Sequence, residues 1–350
     1  MPTVLDSLNV SLHRAFAEDE RVYLLGEDVL DPYGGAFKVA RGLSSAYPQR
    51  VISTPISEAG IVGLAAGMAM RGQRPVVEIM FGDFLTLAAD QVINHLSKFR
   101  WMYNDQVWVP IVIRTPMGGR RGYGPTHSQT LEKLFLGVPG LRVLAVCALS
   151  QSGISDPGSL LKHAILRDDD PVLFIENKLL YSSPIQDAES LDDFTLDSFL
   201  PETGSLPQGM LGENYSPTFR LTVRGAPAPV LTVVAYGYMA ELARQAALRL
   251  AFELEVFVEL LVPTQLAPVE LSSVFKSVRR TGKLLVVEEG GLTLGWGAEV
   301  AARTAEQLGA HLRKVRRLAA LDLPIPASGV LEQAVLPGVD DIVQIAGEMV

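Results

Sequence analysis

The stretch 51–68 (VISTPISEAGIVGLAAGM) constrains the fold of this chain more than any other part of the sequence. Its apolar start and its proline predict a strand end and a turn, and Ser57 then predicts the N-cap of a helix. Gly60, Gly63 and Gly67 follow at spacings of three and four, which places three bare backbone positions on one helical face. Each glycine costs about 1 kcal/mol against alanine inside a helix. We therefore expect another backbone or a ligand to approach this face closely.

Glu58 is the one charged residue between Ser57 and Met70. It would lie in the first helical turn, where the helix dipole favours negative charge. One interpretation is that Glu58 only completes the start of the helix. The other is that it is a half-buried carboxylate with an acid–base function. The residues of this stretch alone leave both interpretations open.

Short apolar segments that predict strands alternate with helical periodicities along most of the chain. This alternation predicts the α/β fold class, with two doubly wound domains built on mostly parallel sheets. The predicted boundaries are 1–181 for the first domain, 182–228 for an irregular linker or surface excursion, and 229–350 for a smaller second domain. Within the first domain, residues 85–102 predict one long helix. In such folds the sites lie at the carboxyl ends of strands, which is where Glu58 falls.

Composition excludes several classes of protein. The 350 residues carry a net charge of −9 without a basic run, which argues against a nucleic-acid partner. No apolar run reaches the roughly 18 residues of a membrane span. The one cysteine, Cys147, lies in an apolar run and is predicted to be a buried small hydrophobe, which fits a reducing compartment. The first residues lack the layout of a signal peptide, so we expect a cytoplasmic protein.

The loop 115–129 (TPMGGRRGYGPTHSQ) is the second unusual stretch. Its glycines and prolines exclude a continuous helix or strand, and loops this irregular are either mobile or functional. His127 is the one histidine of the chain in such a loop, and it could move protons or stabilise an anion. Arg120 and Arg121 either meet an anionic substrate or partner, or form a solvated surface pair. Phe84, just past a predicted strand, either packs in the core or stacks on a planar ligand.

Several of these stretches resemble one known family: the beta subunits of thiamine-diphosphate-dependent 2-oxoacid dehydrogenases of the pyruvate and branched-chain type, in the transketolase-like superfamily. The resemblance covers nearly the whole chain, in order. Its motifs are 26–29 (GEDV), 54–63 (TPISEAGIVG), 78–84 (EIMFGDF), 90–94 (DQVIN), 124–129 (GPTHSQ), 177–181 (NKLLY), 286–290 (VVEEG) and 331–337 (LEQAVLP).

The resemblance implies a role for several residues. Glu58 corresponds to the glutamate that hydrogen-bonds the aminopyrimidine ring of thiamine diphosphate and activates the cofactor. Phe84 corresponds to the aromatic that stacks on this ring, and Ile56 is implied to bind the cofactor too. His127 corresponds to the active-site histidine near the substrate and the acyl-accepting lipoyl group. A potassium ion held largely by main-chain oxygens is also implied, and Ile111, Ala164, Asp168 and Asp170 roughly match its site.

The superfamily's Gly-Asp-Gly stretch, which binds the diphosphate and its Mg²⁺, is missing from this chain. The resemblance therefore implies a site shared with an alpha subunit, in an assembly of two alpha and two beta chains. The implied reaction is oxidative decarboxylation of a 2-oxoacid with acyl transfer to a lipoyl-bearing acyltransferase component. Two alternatives stay open: an acyloin-forming or acyl-transferring enzyme without a lipoyl partner, and a non-catalytic interaction subunit. The stretch 164–171 has one residue more than the family pattern, and the linker is longer.

Overall fold

The computed structural model describes residues 1–201 and 215–350. In chain order the strands of these residues are β1 (Val22–Gly26), β2 (Val51–Ser53), β3 (Arg74–Glu78), β4 (Val112–Met117), β5 (Arg142–Ala145), β6 (Val172–Asn177), β7 (Phe194–Phe199), β8 (Thr218–Val223), β9 (Leu231–Ala235), β10 (Val258–Pro263), β11 (Gln265–Ala267), β12 (Lys283–Gly291) and β13 (Lys314–Ala320).

The α-helices of the same residues are α1 (Val4–Glu18), α2 (Leu43–Ala46), α3 (Glu58–Met70), α4 (Ser97–Met102), α5 (Pro157–Arg167), α6 (Tyr238–Leu254), α7 (Ser272–Thr281), α8 (Trp296–Leu308), α9 (Gly329–Val335) and α10 (Val339–Met349). No helix in this described part of the chain is both long enough and apolar enough to span a bilayer.

The strands form two sheets, which confirms the predicted α/β class with two domains. The first sheet has the order β11-β5-β6-β4-β3-β1-β2 and is parallel except for β11. Helices cover both of its faces. Leu24 packs in a core with α1 and α5, whereas its neighbour Leu25 packs in a core with α3. This alternation is why the strand reads as continuously apolar.

The second sheet has the order β13-β12-β9-β10-β8-β7. Strands β7 and β8 are antiparallel to each other, and β8 is antiparallel to β10. Both strands lie in the stretch 182–228, for which the sequence predicted little regular structure. In β7 the buried Phe194 and Leu196 alternate with exposed or half-buried residues, a period of two that marks a one-sided strand. Residues 202–214 of the predicted linker lie outside the described residues.

The predicted long helix 85–102 is helical throughout but changes its type along the way. A 3₁₀-helix runs from Gly82 to Ala88, a π-helical segment runs from Gln91 to Leu96, and α4 completes the run as an α-helix. Asp83 explains the start, because its Oδ1 accepts hydrogen bonds from the side chain (2.8 Å) and main chain (3.3 Å) of Gln129. The tight first turns are thereby tied to the loop after β4. π-Helical turns of this kind are frequent near functional sites.

The two domains share one apolar core. Tyr236, Leu261 and Trp296 of the second domain belong to the same buried cluster as Ile113 and Val143 of the first. Strand β11 strengthens the connection, because it follows β10 in the chain but pairs with β5 in the first sheet. The end of the first sheet that carries Glu58 and the glycine-rich loop therefore has a fixed position relative to the second domain.

Candidate active site

The candidate site lies where the loops after four neighbouring strands meet. Strands β2, β1, β3 and β4 are adjacent and parallel in the first sheet, so their carboxyl ends lie along one edge. Glu27 follows β1, Glu58 follows β2, Phe84 follows β3 and His127 lies in the loop after β4. This is the edge at which ligands bind in open parallel sheets.

Glu58 is the first residue of α3 and is only 5% exposed. Its negative charge acts on Glu27: the pKa of Glu27 is raised first by burial, then by the charges of Glu58 and Asp28. The buried Oε1 of Glu27 has no hydrogen-bond partner among the described residues. An unsatisfied buried carboxylate oxygen is costly and points to a missing donor. Two interacting acids, an acidic pair, thus lie at the start of an apolar helix.

The N-cap of α3 differs from the prediction in one detail. Ser57 occupies the N-cap position, but its side chain makes no capping hydrogen bond. Ile56, implied by the resemblance to bind the cofactor, is 84% exposed and lies two residues before Glu58. An exposed isoleucine here offers an apolar contact to a ligand or a second chain that covers the acidic pair.

Three aromatic rings gather at the same edge of the sheet. The ring of His127 lies 5.2 Å from that of Phe84 and 4.9 Å from that of Phe81, in edge-to-face geometry. Phe81 and Phe84 are themselves 5.6 Å apart. Nδ1 of His127 lies 2.9 Å from the Thr126 hydroxyl, so Nε2 is the ring nitrogen left for a further partner. Edge-to-face packing fixes the plane of the imidazole, so a proton on it has a defined direction.

The glycine face of α3 is open within this chain. A side chain on Gly63 would meet only the Gln91 amide, and one on Gly67 would meet no described atom within 4 Å. The close approach that the sequence predicts is therefore not made by another backbone of the described residues. Leu64, on the same helix, is 54% exposed. An apolar helical face left bare in this way suits a contact with a second chain.

The second domain holds the loop that carries His127. The carboxylate of Glu289, at the end of β12, accepts hydrogen bonds from the Gly119 amide at 2.8 Å and from the Asn177 side chain at 3.0 Å. Glu332, in α9, accepts from the amides of Arg120 at 2.6 Å and Gly122 at 3.2 Å. Backbone amides gathered on carboxylates give strong, charge-assisted hydrogen bonds. The loop is consequently a shared product of both domains.

The two arginines of this loop have different surroundings. Arg120 donates to the main-chain oxygen of Pro337 at 2.5 Å and is half-buried, which favours a structural role. Arg121 is exposed and donates to the oxygen of Lys178 at 3.2 Å. Of the pair, only Arg121 is presented to solvent, where it can meet an anion.

Residues 2–184 match the family described as "Transketolase, pyrimidine binding domain", and residues 223–342 match "Transketolase, C-terminal domain". The first match alone covers more than half of the chain. The chain belongs to the transketolase family. The resemblance drawn from the sequence motifs is thereby confirmed.

Curated relatives narrow this membership. A rice (Oryza sativa) protein named pyruvate dehydrogenase E1 component subunit beta-2 is 38% identical over 98% of this chain and 85% of its own length. A Drosophila melanogaster protein named pyruvate dehydrogenase E1 component subunit beta is 37% identical over 98% of this chain and 87% of its own length. A Rhizobium meliloti protein, also named pyruvate dehydrogenase E1 component subunit beta, is 34% identical over 97% of this chain and 68% of its own length. Within the transketolase family, this chain groups with the E1 beta subunits.

A solved structure shows the same fold at greater distance. A "Split gene transketolase, inactive beta4 tetramer" aligns with a TM-score of 0.67, covering 99% of this chain and 98% of its own. Its sequence is 18% identical, so the likeness concerns the fold. The two-domain arrangement is therefore a property of the transketolase family.

Lys178 is a site residue that the sequence reasoning missed. It directly follows β6, is fully buried, and its ammonium donates to the main-chain oxygens of Gly118 (2.6 Å) and His127. Burial lowers its pKa to about 8. One side chain therefore closes both ends of the loop that carries the histidine. The sequence signal that could have identified Lys178 is its position directly after a buried strand, at the sheet edge where sites lie. Glu27, directly after β1, could have been identified in the same way.

Replacement of Lys178 by methionine is expected to loosen this loop. Two main-chain oxygens, one buried and one part-buried, lose a charged donor, which is worth about 1.5–3 kcal/mol and so raises the open population about 10- to 100-fold. Trypsin cleavage after Arg120 or Arg121, followed by mass spectrometry, should accelerate accordingly. Lys133→Met is the control, because Lys133 also donates to a main-chain oxygen, that of Thr293 at 2.8 Å, outside the loop. Equal cleavage of this loop in both variants would contradict the role of Lys178.

Buried acids also lie between the domains. Glu132 is buried in the first domain, and its Oε1 accepts from the Tyr236 hydroxyl at 2.5 Å. Glu288, at the end of β12, is fully buried and accepts from the Gly297 amide at 3.1 Å. Burial, reinforced by the charge of Glu132, raises the pKa of Glu288 to about 7. The folded chain therefore favours the protonated form of Glu288.

The pH dependence of stability should carry the signature of Glu288. A carboxyl whose folded pKa is raised stabilises the fold below its ordinary pKa of 4.5 and loses that contribution as the pH rises through about 7. Relative to Glu288→Gln, the wild type should lose about 3 kcal/mol of unfolding free energy between pH 4.5 and pH 7.5. Urea unfolding at both pH values measures this difference. The exposed Glu306→Gln should show no such trend; a flat difference for Glu288→Gln would contradict the assignment.

Of the four residues predicted for potassium, Ala164 lies in the last turn of α5, Asp168 and Asp170 follow this helix, and Ile111 directly precedes β4. The carboxylates of Asp168 and Asp170 are engaged there by Arg142 and Arg100 respectively. The main-chain oxygen of Ile111 accepts from the Val172 amide at 2.8 Å. No group of three or more His, Cys, Asp or Glu side chains in residues 1–201 and 215–350 is arranged to hold a metal.

Proposed function

We propose that this chain is the beta subunit of a thiamine-diphosphate-dependent 2-oxoacid dehydrogenase, the decarboxylating component that transfers an acyl group to a disulfide acceptor. The proposal rests mainly on two features at the carboxyl edge of one transketolase-type sheet: the buried Glu58, whose charge acts on Glu27, and the cluster of the Phe81, Phe84 and His127 rings. The relatives named as E1 beta subunits support it over nearly the whole chain.

The residues fit one half of the cofactor. A buried carboxylate, an unsatisfied Glu27 oxygen and a cluster of rings suit a planar heteroaromatic ring that carries N–H donors. When bound, thiamine diphosphate supplies the centre at which a 2-oxoacid loses carbon dioxide. Glu58 would hold a ring nitrogen and exchange a proton with it, and Phe84 and Ile56 would hold the ring through apolar contact. His127 would present Nε2 to the substrate and the acyl acceptor.

The other half of the site would come from an alpha subunit. This sequence lacks the Gly-Asp-Gly stretch for the diphosphate and Mg²⁺, so we place those groups on the partner, in an assembly of two alpha and two beta chains. The open glycine face of α3, with the exposed Leu64 beside it, supports a contact with another chain. A lipoyl-bearing acyltransferase component would then take the acyl group, and we place the assembly in the cytoplasm.

Calorimetric titration of thiamine diphosphate with Mg²⁺ tests the shared site. The titration compares this chain alone with this chain co-purified with its alpha subunit. Binding to the pair and not to the lone chain is the expected result. Tight binding to the lone chain would overturn the shared site.

Turnover with two acceptors tests the reaction. Dye reduction with a panel of 2-oxoacids detects decarboxylation without any partner component, and acylation of a lipoylated domain detects the full transfer. Both are expected from the pair. Decarboxylation with acyloin formation and no acylation of lipoylated domains would favour an acyloin-forming enzyme instead, and no turnover in either assay would favour a non-catalytic subunit.

A further inference from the structure

The end of α5 is a place where the fold needs positive charge. The last four carbonyl oxygens of a helix have no partner within it, and the helix dipole makes this end negative. Helix α5 ends at Arg167, and the sequence continues with Asp168, Asp169 and Asp170. Burial of such oxygens and carboxylates without a cation would cost several kcal/mol.

Arg74 supplies that charge. Its Nη1 donates to the main-chain oxygens of Ile165 at 3.1 Å and Asp168 at 2.7 Å, and its Nη2 donates to Oδ1 of Asp169 at 2.7 Å. The Arg74 side chain is only 9% exposed. It is the first residue of β3, in the interior of the sheet, so it reaches the helix end from a rigid element. A guanidinium here binds main-chain oxygens, the kind of ligand that the resemblance implies for potassium.

Other cationic or neutral donors occupy the remaining oxygens. Asp168 accepts from Nη1 of Arg142 at 2.6 Å and from the Tyr215 hydroxyl. Asp170 accepts from Nη1 of Arg100 at 2.9 and 3.0 Å. Three guanidinium groups therefore surround this short acidic segment. The implied potassium site does not fit this arrangement, because the main-chain oxygens of Ile111 and Asp168, two of its four implied ligands, already accept hydrogen bonds from the Val172 amide and from Arg74, and the three carboxylates are already balanced by three guanidinium groups.

We propose that Arg74 is a built-in cation that takes the place of the structural potassium ion, so that this subunit needs no potassium for its stability. The resemblance predicts a potassium ion at this place. The hydrogen bonds of Arg74 to Ile165, Asp168 and Asp169 argue against it. The test measures thermal stability and ion binding, not turnover. Its outcome is therefore independent of whether the proposed reaction is found.

Wild-type protein tests the proposal directly. Thermal unfolding of the full chain in potassium, sodium and choline chloride at equal ionic strength should give the same midpoint within about 1 °C. Crystals soaked in Tl⁺, an electron-rich substitute for K⁺, should show no anomalous density at the end of α5. A potassium-specific rise of the midpoint, or Tl⁺ density beside Asp168, would overturn the proposal. Neither measurement depends on a variant that folds.

The variant Arg74→Ala sharpens the test. Its unfolding midpoint should fall by about 3–6 °C, because two main-chain oxygens lose a charged donor. Millimolar guanidinium ion should then recover part of the loss by binding in the space left by the side chain. Arg50→Ala is the matched control, since Arg50 donates to Phe16 O (2.8 Å) and Asp19 O (3.0 Å) at the end of α1.

For Arg74→Ala, potassium should also raise the midpoint above that in sodium, whereas Arg50→Ala should respond equally to both ions. A loss of less than 1 °C in Arg74→Ala would overturn the role of Arg74. So would an equal response of both variants to potassium.

Discussion

Replacement of Glu58 by glutamine is expected to lower the turnover of the assembled enzyme about 100- to 10,000-fold while the chain still folds. Glutamine keeps the shape and burial of Glu58 but cannot accept or release a proton at neutral pH. Its neutral side chain also removes a negative charge beside Glu27, so the pKa of Glu27 should move back toward its ordinary value. Steady-state turnover of the alpha–beta pair measures the loss of activity. Thermal unfolding in parallel measures whether the chain still folds.

The control for this variant is Glu299→Gln. Glu299 is also a glutamate in the first turn of a helix, α8, but it is exposed and paired with Arg303. Its replacement should change turnover less than two-fold. If Glu58→Gln retained turnover near that of the wild type, Glu58 would be an ordinary helix-start residue, the first of the two interpretations that its sequence context allows.

Replacement of Arg114 by methionine is expected to lower the free energy of unfolding by about 3–5 kcal/mol. Arg114 lies on β4 and is 1% exposed. Its Nε and Nη2 donate to Glu176 at 2.8 and 2.6 Å, and its Nη1 donates to Glu78. Tyr181 donates to the same Glu176 at 2.5 Å. Methionine fills the space but leaves two buried carboxylates without a cation.

Urea unfolding measures the loss of unfolding free energy. Two further variants show whether the loss comes from the stranded carboxylates. Arg303→Met breaks an exposed pair with Glu299 and should cost less than about 0.5 kcal/mol. Adding Glu176→Gln to Arg114→Met should recover part of the loss, because one of the two stranded charges disappears. A loss below 1 kcal/mol for Arg114→Met alone would show that the carboxylates are protonated or solvated without it.

The position of Arg114 connects this stability to the site. Strand β4 leads directly into the loop that carries His127, and β6, which carries Glu176, leads into Lys178. The ion cluster therefore fixes the relative position of two neighbouring strands whose ends build the site. A loosened cluster should lower turnover in addition to stability.

The sequence alone determined the local elements and the class of fold. Alternating apolar strands and helical periods predicted two α/β domains, and both sheets are present. The cap position, the apolar helix and the lone carboxylate of α3 were readable because they depend on neighbours within a few residues. The same is true of Cys147, predicted and found to be buried. The motif resemblance, confirmed by the family matches, identified Glu58, Phe84 and His127 as candidates whose roles stay predictions.

The tertiary structure alone decided how these candidates are held. Glu289 and Glu332 reach the His127 loop across 170 and 212 residues of sequence, and Arg74 reaches the end of α5 across 94. Strands β7 and β8 were both missed, because each is short and their place in the sheet is decided by pairing with each other and with β10. Local patterns report which face of an element is apolar, whereas the partner of a charged or polar group is chosen by packing over the whole domain.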